Sequence, residues 1–582
     1  MTAGVFGERT KDGKNIVLMV SGSDHEINKA AQALKHMTPL MRKSDPPGAL
    51  ICPATWAAVT QLAFTFNGSE TTGKWMPGDR LRAWILEEFS WRTRPTVMKP
   101  PLTGNGAKWP RPYQIDGAQQ IGSTDCGFLL FDDPGVGKSC TTILGLKIRL
   151  LLGIELWPMI IICPSWEVND VWAREIGLWA PEWQEPVTYG GPKRAEKAGA
   201  KILLTTYATA MLDGEGPKSP LVKLKAKTVV ADEAHYLRNI QAKRTGAVQR
   251  IAAKAGTFVA LTGTPVTRDT GDIFPIMAAM DPQSYPSRER FVKRYLQTSD
   301  SEYGEKIEGL AQLAEPEFRT VLQGQYRRAA KADVLSQLPP KVYSIRRVEL
   351  PAEWRRAYDG IEQEMLAELP DGGELPVMST LAQITRMGQL ASSAFDVAVT
   401  VEVNELGLEV KHYEVTLKAP SWKADALLGI LAERPGQPVA VFANSRQLID
   451  ITGAQCEKAG YRCGYITGGQ GKVSRHDDID SFQDGKLDVI LCTAGAGGLG
   501  ITLTAAGTVV MLQRSWSLDL SLQPEDRAHR MGNEHEFVEI IDIVARDTVD
   551  SRVRTLMREK GHQLGQLVRD PRLVRELLGG LK

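Results

Sequence analysis

The sequence predicts an α/β protein with two tandem lobes, each built on a parallel sheet. Three observations carry this. Short apolar runs alternate with helical segments over residues 106–285. The same alternation returns over 420–548. Each run ends in small or polar residues followed by a helix or loop, the pattern of parallel strands covered on both faces.

In the first lobe the runs are Gly127 to Phe131, Met159 to Cys163, Lys201 to Thr205, Thr228 to Ala231 and Thr257 to Leu261. In the second they are Val439 to Phe442, Gly464 to Ile466, Val489 to Cys492, Thr508 to Leu512 and Phe537 to Ile543. Residues 1–105 form a small α+β N-terminal domain. It starts with a turn at Lys11-Asp12-Gly13-Lys14 and a strand at Ile16 to Val20. A helix capped by Ser23 or Asp24 carries the face Ile27, Ala30, Ala31 and Leu34. Two more helices follow, from Pro53 and Thr55 through Ala63 and from Pro77 to Glu88. Lys99 to Gly106 is a linker rich in proline and glycine. Residues 286–419 form an insertion between the lobes. Its first part, 286–390, reads as mostly helical and charged. Its second is a β-hairpin at 395–418, with Val397, Val399, Val401 and Val403 alternating before a turn at Asn404-Glu405-Leu406-Gly407. Residues 549–582 read as C-terminal amphipathic helices.

The chain has 582 residues, about four units at roughly 150 residues per domain. Hydrophobic residues are 43% and charged residues 24%, which excludes a mostly disordered chain, a collagen-like fibre and a coiled-coil rod. Lys plus Arg number 70 and Asp plus Glu 69, so the net charge is +1. That excludes a uniformly basic coat protein but not a local basic groove. No apolar run spans a membrane and no signal core opens the chain, so a cytoplasmic protein is expected. Seven scattered cysteines without a CxxC pair read as reduced thiols rather than a zinc site.

Asp132-Asp133-Pro134-Gly135-Val136-Gly137-Lys138-Ser139 lies between a strand and a helix. Glycines let successive backbone N–H groups turn toward phosphate oxygens, and the helix N-terminus adds positive potential. Asp133 to Ser139 would cradle a nucleoside triphosphate, with Lys138 on the β- and γ-phosphates and Ser139 on Mg²⁺. A strict phosphate loop has glycine where this chain has Asp132. Val229 to His235 reads as a strand ending in two carboxylates. Asp232 is placed for the Mg²⁺ shell and Glu233 to orient and deprotonate a water. Arg527 and Arg530, three apart on a predicted helix, would share a face and reach the γ-phosphate as arginine fingers. Gly495-Ala496-Gly497-Gly498-Leu499-Gly500 satisfies GxGxxG, and Asp519 lies where a ribose-binding acid would be sought. The next strand starts too soon for a crossover helix, so a glycine-rich turn facing the other lobe is the better reading, with Gly500 beside the nucleotide.

In order, these motifs resemble the sucrose-nonfermenting-two (Swi/Snf-type) ATP-dependent DNA translocases of helicase superfamily two. Arg111-Pro112-Tyr113-Gln114 is similar to that family's adenine-reading motif, with Gln114 the reader. Cys163-Pro164-Ser165 with Trp172 and Glu175, then Thr205-Thr206-Tyr207, resemble its next two motifs. Asp232 to Leu237 with Arg238-Asn239 resembles its acidic box, and Leu261-Thr262-Gly263-Thr264-Pro265 its coupling motif. Tyr326-Arg327-Arg328 and Leu338-Pro339-Pro340-Lys341 resemble the stretch ending its first lobe. Phe442 to Ser445, Thr493 to Leu503 and Gln523 to Gly532 follow in the second. Two positions depart: Arg268 and Asn533 stand where the family usually has asparagine and glutamine.

The resemblance covers about 106–560 and implies two RecA-like lobes, ATP with Mg²⁺ as cofactor, and DNA-stimulated hydrolysis. It implies coupling through Thr262, Gly263 and Thr264. It also implies sequence-independent contact with duplex or branched DNA through Pro164, Ser165, Thr206, Asn444, Ser445, Thr493 and Trp516. Each hydroxyl is also readable as an ordinary helix cap. The expected activity is double-stranded DNA translocation for remodelling, repair, recombination or replication. The rivals are a strand-separating or strand-annealing helicase at forks, which Gly271 to Pro275 and Phe291 to Tyr295 faintly favour, and a non-catalytic DNA clamp. A bacterial or phage-infected cell is the expected setting. The sequence names no protein partner.

Overall fold

The chain is described from a computed structural model over residues 4–21, 32, 41–42, 50–67, 74–93, 109–124, 127–301, 304–335, 338–369, 374–377, 379–403, 409–497, 501–530 and 532–568. The helix expected at Ile27 to Leu34 falls outside these residues, Gln32 excepted. So do the linker 99–106, the turn 404–407, Gly498–Gly500 and the chain beyond 568. The chain divides into two compact units, essentially Met1–Val334 and Leu335–Gly565.

The first unit opens on strands β1 (Gly4–Arg9), β2 (Asn15–Ser21), β3 (Met41–Arg42), β4 (Leu50–Pro53) and β5 (Lys74–Pro77). They form a mixed sheet in the order β3-β4-β2-β1-β5. The expected turn at Lys11–Lys14, with Gly13 at φ 72°, joins β1 to β2 as a hairpin, which the sequence reading did not include. Helices Trp56–Asn67 and Asp79–Thr93 cover this sheet, burying Ala58, Leu62, Leu81 and Trp84 against Ile16, Leu18 and Leu50.

The next strands are β6 (Gly127–Leu130), β7 (Met159–Cys163), β8 (Val187–Thr188), β9 (Ile202–Thr206), β10 (Thr228–Asp232) and β11 (Thr257–Leu261). All five expected runs are strands, to within a residue or two at the ends. β12 (Leu296–Ser301) and β13 (Gly304–Leu310) form a separate hairpin, and β14 (Tyr326–Arg327) returns to the sheet. The order is β14-β6-β11-β10-β7-β9-β8, parallel throughout. The central strands are buried on both faces, which is why they read as unbroken apolar runs.

The second unit contributes β15 (Lys341–Val348), hairpin β16 (Leu366–Glu368) and β17 (Glu374–Pro376), hairpin β18 (Ala394–Val403) and β19 (Glu409–Lys418), then β20 (Val439–Ala443), β21 (Cys463–Ile466), β22 (Val489–Thr493), β23 (Thr508–Met511) and β24 (Val538–Ala545). The main sheet runs β15-β24-β23-β20-β22-β21, again all parallel. The expected hairpin at 395–418 is present. Its base, Phe395, Val415 and Leu417, joins the main core, while Val399 and Val401 are exposed.

The span 286–419 needs correction. It is not one insertion between the lobes and 286–390 is not mostly helical. β14 pairs with β6 in the first sheet, β15 pairs with β24 in the second, and the units divide between Val334 and Leu335. Two hairpins, β12–β13 and β16–β17, lie in the same span. Among the described residues no helix is long and apolar enough to cross a membrane. The described cysteines are free, and all but Cys463 are buried.

Candidate nucleotide site

The site grows from the carboxyl ends of β6, β10 and β11, where open α/β sheets present their ligand loops. After β6 the chain turns through Phe131–Gly137 into helix Lys138–Leu151. Gly135 and Gly137 sit at φ 84° and 87°, a left-handed backbone that favours glycine. Gly137 is also tightly faced: a Cβ there would lie 2.2 Å from Gln114 Nε2. Lys138 Nζ donates to the carbonyls of Asp132 (3.1 Å) and Asp133 (3.4 Å). Ser139 is half-buried in the first turn of the helix, whose free N–H groups and dipole favour an anion.

Gln114 Nε2 and Tyr113 OH both donate to Val136 O, at 3.0 and 2.9 Å. Gln114 Oε1 accepts from Arg111 N at 2.8 Å. The expected adenine reader thus spends both ends of its carboxamide on backbone and braces the phosphate loop.

The two aspartates opening the loop are each held from β14 and its continuation. Asp132 is fully buried; its Oδ1 accepts from Ala329 N at 2.7 Å and lies 3.4 Å from Arg327 Nε. Its Oδ2 has no hydrogen-bond partner among the described residues. Burial pushes the Asp132 pKa up, against the opposing pull of Arg327 and the Ala329 N–H. Asp133 pairs with Arg328 at 2.6 Å and accepts from Lys331 N at 3.0 Å.

Asp232 ends β10. Its Oδ2 accepts from Trp172 Nε1 and its Oδ1 from Glu233 N, both at 2.9 Å. Burial, then the Glu233 charge, raises its pKa to about 6, while Trp172 and Lys138 pull it down. Lys138 and Asp232 therefore share one electrostatic site. Glu233 holds a left-handed backbone at φ 48°, a conformation costing about 1 kcal/mol away from glycine. His235 Nδ1 lies 3.2 Å from Glu233 Oε2 and 3.2 Å from Thr262 Oγ1. Thr262 Oγ1 accepts from Thr264 N at 3.1 Å. Gly263 packs on the phosphate loop: a Cβ there would lie 2.6 Å from Pro134 Cδ. Loop, acidic pair and coupling motif thus form one connected cluster within the first unit.

Arg268, one departure from the family pattern, has a structural account. Its guanidinium pairs with fully buried Asp272, which also accepts from the N–H and hydroxyl of Thr267.

In the second unit, helix Glu525–Ala528 carries Arg527, but Arg530 lies beyond its end. The expected shared helical face is therefore absent. His529 Nε2 meets Pro339 O at 2.8 Å and Gly532 turns at φ 93°, so the chain leaves the helix before Arg530. Arg527 is buried; half-buried Arg530 donates to Thr502 Oγ1 and Asp526 O at 3.1 Å. Burial lowers the Arg530 pKa, with Asp526 opposing. Beneath them, Glu525 pairs with Arg514 (2.7 Å) and Lys341 (3.2 Å) and accepts from Tyr343 OH (2.9 Å). Arg514 also pairs with Asp542 at 2.8 Å. Burial opposes ionisation of Glu525, but Lys341 and Arg514 outweigh it and hold its pKa below the ordinary range. Asn533, the other departure, donates to Ala506 O and Ala528 O, both at 3.0 Å.

The residues expected at DNA lie at strand ends of their own sheets: Pro164 and Ser165 after β7, Thr206 closing β9, Asn444 and Ser445 after β20, Thr493 closing β22. Thr206 caps helix Tyr207–Asp213 through Thr209 N, and Ser445 caps helix Arg446–Lys458 through Leu448 N. Asn444 Nδ2 donates to Arg514 O at 3.0 Å, and Trp516 is 38% exposed. Gly500 is outside the described residues. Sequence reasoning gave no role to Trp172, Tyr113, His235, Arg327 or Arg328, although all lie inside quoted motifs. The signal available was polar or aromatic residues packed into short motifs beside carboxylates.

A model of the SNF2-related domain matches residues 31–393, more than half of the chain. The chain belongs to the SNF2-related family. A model of the helicase conserved C-terminal domain matches residues 422–532 of the same SNF2-related chain. The ISWI chromatin-remodeling complex ATPase ISW1 of Saccharomyces cerevisiae is 27% identical over 496 residues, 83% of this chain and 42% of that protein. The DNA annealing helicase and endonuclease ZRANB3 of Mus musculus is 25% identical over 466 residues, 78% of this chain and 40% of that protein. The chain thus spans about two fifths of the length of these relatives. The Sulfolobus solfataricus SWI2/SNF2 ATPase core solved in complex with dsDNA is 22% identical, with a TM-score of 0.38 over 83% of this chain and 99% of that one. At that overlap the likeness bears on no point of function.

Proposed function

We propose that this SNF2-related chain is an ATP-hydrolysing motor that moves along double-stranded DNA without reading its sequence. The observation that carries the reading is the cluster in the first unit. Lys138, Asp232, Glu233 and Thr262 are joined there through His235, Gly263 and Pro134.

The donor set suits Mg²⁺. Ser139 and Asp232 would offer one hydroxyl and one carboxylate, leaving the remaining positions to water and phosphate, as this ion prefers. Bound there, the ion neutralises charge on the phosphates. Lys138 binds the phosphate oxygens through its ammonium. Trp172 fixes the rotamer of Asp232. Glu233 accepts the proton of the attacking water, and His235 holds its carboxylate and joins it to Thr262. By the family resemblance Arg527 and Arg530 serve the same transition state.

The test is ATP turnover by the full chain without DNA and with matched single-stranded, duplex and forked DNA, with strand release followed in the same tube. Duplex should stimulate most, without strand release. Lys138→Ala and Glu233→Gln should abolish turnover. Equal low turnover with and without DNA overturns the reading. The 25% identity to a protein named a DNA annealing helicase supports a second reading, strand annealing or separation at forks. Preferential stimulation by forks, with strand release or annealing, would select it.

A further inference from the structure

The phosphate loop is zipped to a second piece of chain. β14 and its continuation run beside β6 and past its end. Leu129 N donates to Gln325 O and Phe131 N to Arg327 O, both at 2.8 Å, and Asp133 N to Ala329 O at 3.0 Å. The side chains reinforce this ladder. Arg327 reaches Asp132 and, at 3.1 Å, Asp116 on the helix that carries Gln114. Arg328 pairs with Asp133 and donates to Phe131 O (3.1 Å) and Gly263 O (3.2 Å). One guanidinium thus ties the phosphate loop to the coupling motif. Both arginine side chains are almost fully buried.

The start of this strap is fixed by the N-terminal domain. Arg92 donates from Nη1 to Gln323 O at 2.9 Å, and its Nε pairs with Glu88 at 3.1 Å. Gly324 turns at φ 74° directly against Arg92; a Cβ there would lie 2.7 Å from Arg92 Cα. Trp56 Nε1 donates to Thr320 O at 2.8 Å, with the Arg92 guanidinium 4.9 Å over its ring.

We propose that Arg327 and Arg328 are positioning residues for the nucleotide. They hold Asp132 and Asp133, and so the loop, in the shape that presents its N–H groups and Lys138 to phosphates. Arg92 makes the N-terminal domain part of the same device by setting where the strap begins. Neither strap arginine touches nucleotide in this scheme. Both act through the aspartates, and Arg328 also through Gly263. A lysine at 328 keeps a charge for Asp133 but not the geometry of the guanidinium fork. The proposal rests on the nucleotide reading above.

The experiment uses the full chain and reads Mg²⁺-dependent binding of fluorescent ADP and the KM and kcat for ATP with saturating duplex. Arg328→Ala should weaken ADP binding and raise KM by about tenfold, with a smaller change in kcat. Arg328→Lys should recover part of that loss. Arg92→Ala should shift both in the same direction by about threefold. Arg462→Ala, which breaks the exposed Arg462–Asp488 pair of the second unit, should change neither. Should Arg328→Ala fail to fold, Arg328→Lys and Arg92→Ala still decide. Wild-type ADP affinity and KM in folded Arg328→Lys and Arg92→Ala overturn the proposal. So does a loss confined to kcat. A wild-type chain that binds no ADP overturns the nucleotide reading, and the positioning role falls with it.

Discussion

β14 and β15 are consecutive in the chain, yet one edges the first sheet and the other the second. Each brings basic residues to a short acidic segment of its own unit. β14 and its continuation bring Arg327 and Arg328 to the phosphate loop; β15 brings Lys341, with Tyr343, to the segment before Arg527. The balance of charge differs. Asp132 is buried with one carboxylate oxygen lacking a hydrogen bond among the described residues, and its pKa rises. Glu525 meets Lys341, Arg514 and Tyr343, and its pKa falls. The first clamp leaves one carboxylate oxygen without a hydrogen bond among the described residues, in the field of Lys138. The second satisfies its carboxylate fully.

The widest separation of chemistry from stability should come from Lys138→Ala. ATP turnover should fall by about a thousandfold, while the melting temperature changes little, because the β14 ladder and its ion pairs still hold the loop when the two Lys138 bonds are lost. Next is Arg514→Met, which strips a partner from buried Glu525 and Asp542. Chemical denaturation should show a loss of about 3–5 kcal/mol. Asp132→Asn should cost less than half of that, since its charge is already disfavoured; equal losses would break the contrast between the clamps. Asp232 gives a pH signature. Its folded pKa, about 6, lies above the ordinary 3.8, so its contribution is full below the lower value and lost as pH rises through the upper. Urea unfolding should show the protein more stable near pH 5 than near pH 8 through this group. Asp232→Asn should remove that slope. The smallest effect is expected for Arg268→Asn: Asp272 keeps the Thr267 N–H and hydroxyl, so turnover should stay within about twofold.

Legibility in the sequence followed burial. Runs such as Met159–Cys163 and Thr257–Leu261 are buried at every position and could be read directly. β14 has two residues, one of them arginine. β15 sits at a sheet edge with Arg346 and Arg347 in it, so its pattern is neither alternating nor continuous. Both strands are specified by pairing with residues far along the chain, Leu129–Leu130 and Val538–Ala545, which local pattern does not contain. Hairpins β12–β13 and β16–β17 are short, and β12–β13 is strongly polar, so they resembled loops between helices. At the candidate site, the segments Asp132–Ser139 and Asp232–Glu233 could be singled out from residue type and spacing, and the structure brings them together at the ends of β6 and β10. What holds them was not legible: Arg327, Trp172 and His235 act through contacts across strands. The arginine pair misled for a local reason. Three-residue spacing means a shared face only while the helix lasts, and this one ends at Ala528.

Between Arg328 and Lys341 the chain passes from one unit to the other. On the first-unit side the chain is anchored by helix Lys331–Val334, by the Lys331 N–Asp133 bond and, before them, by the β14–β6 ladder. At the far end lies β15, whose eight-residue register with β24 is much longer. The β14 ladder is the shorter, and the ion pairs of Arg327 and Arg328 with Asp132 and Asp133 are what make up for its length.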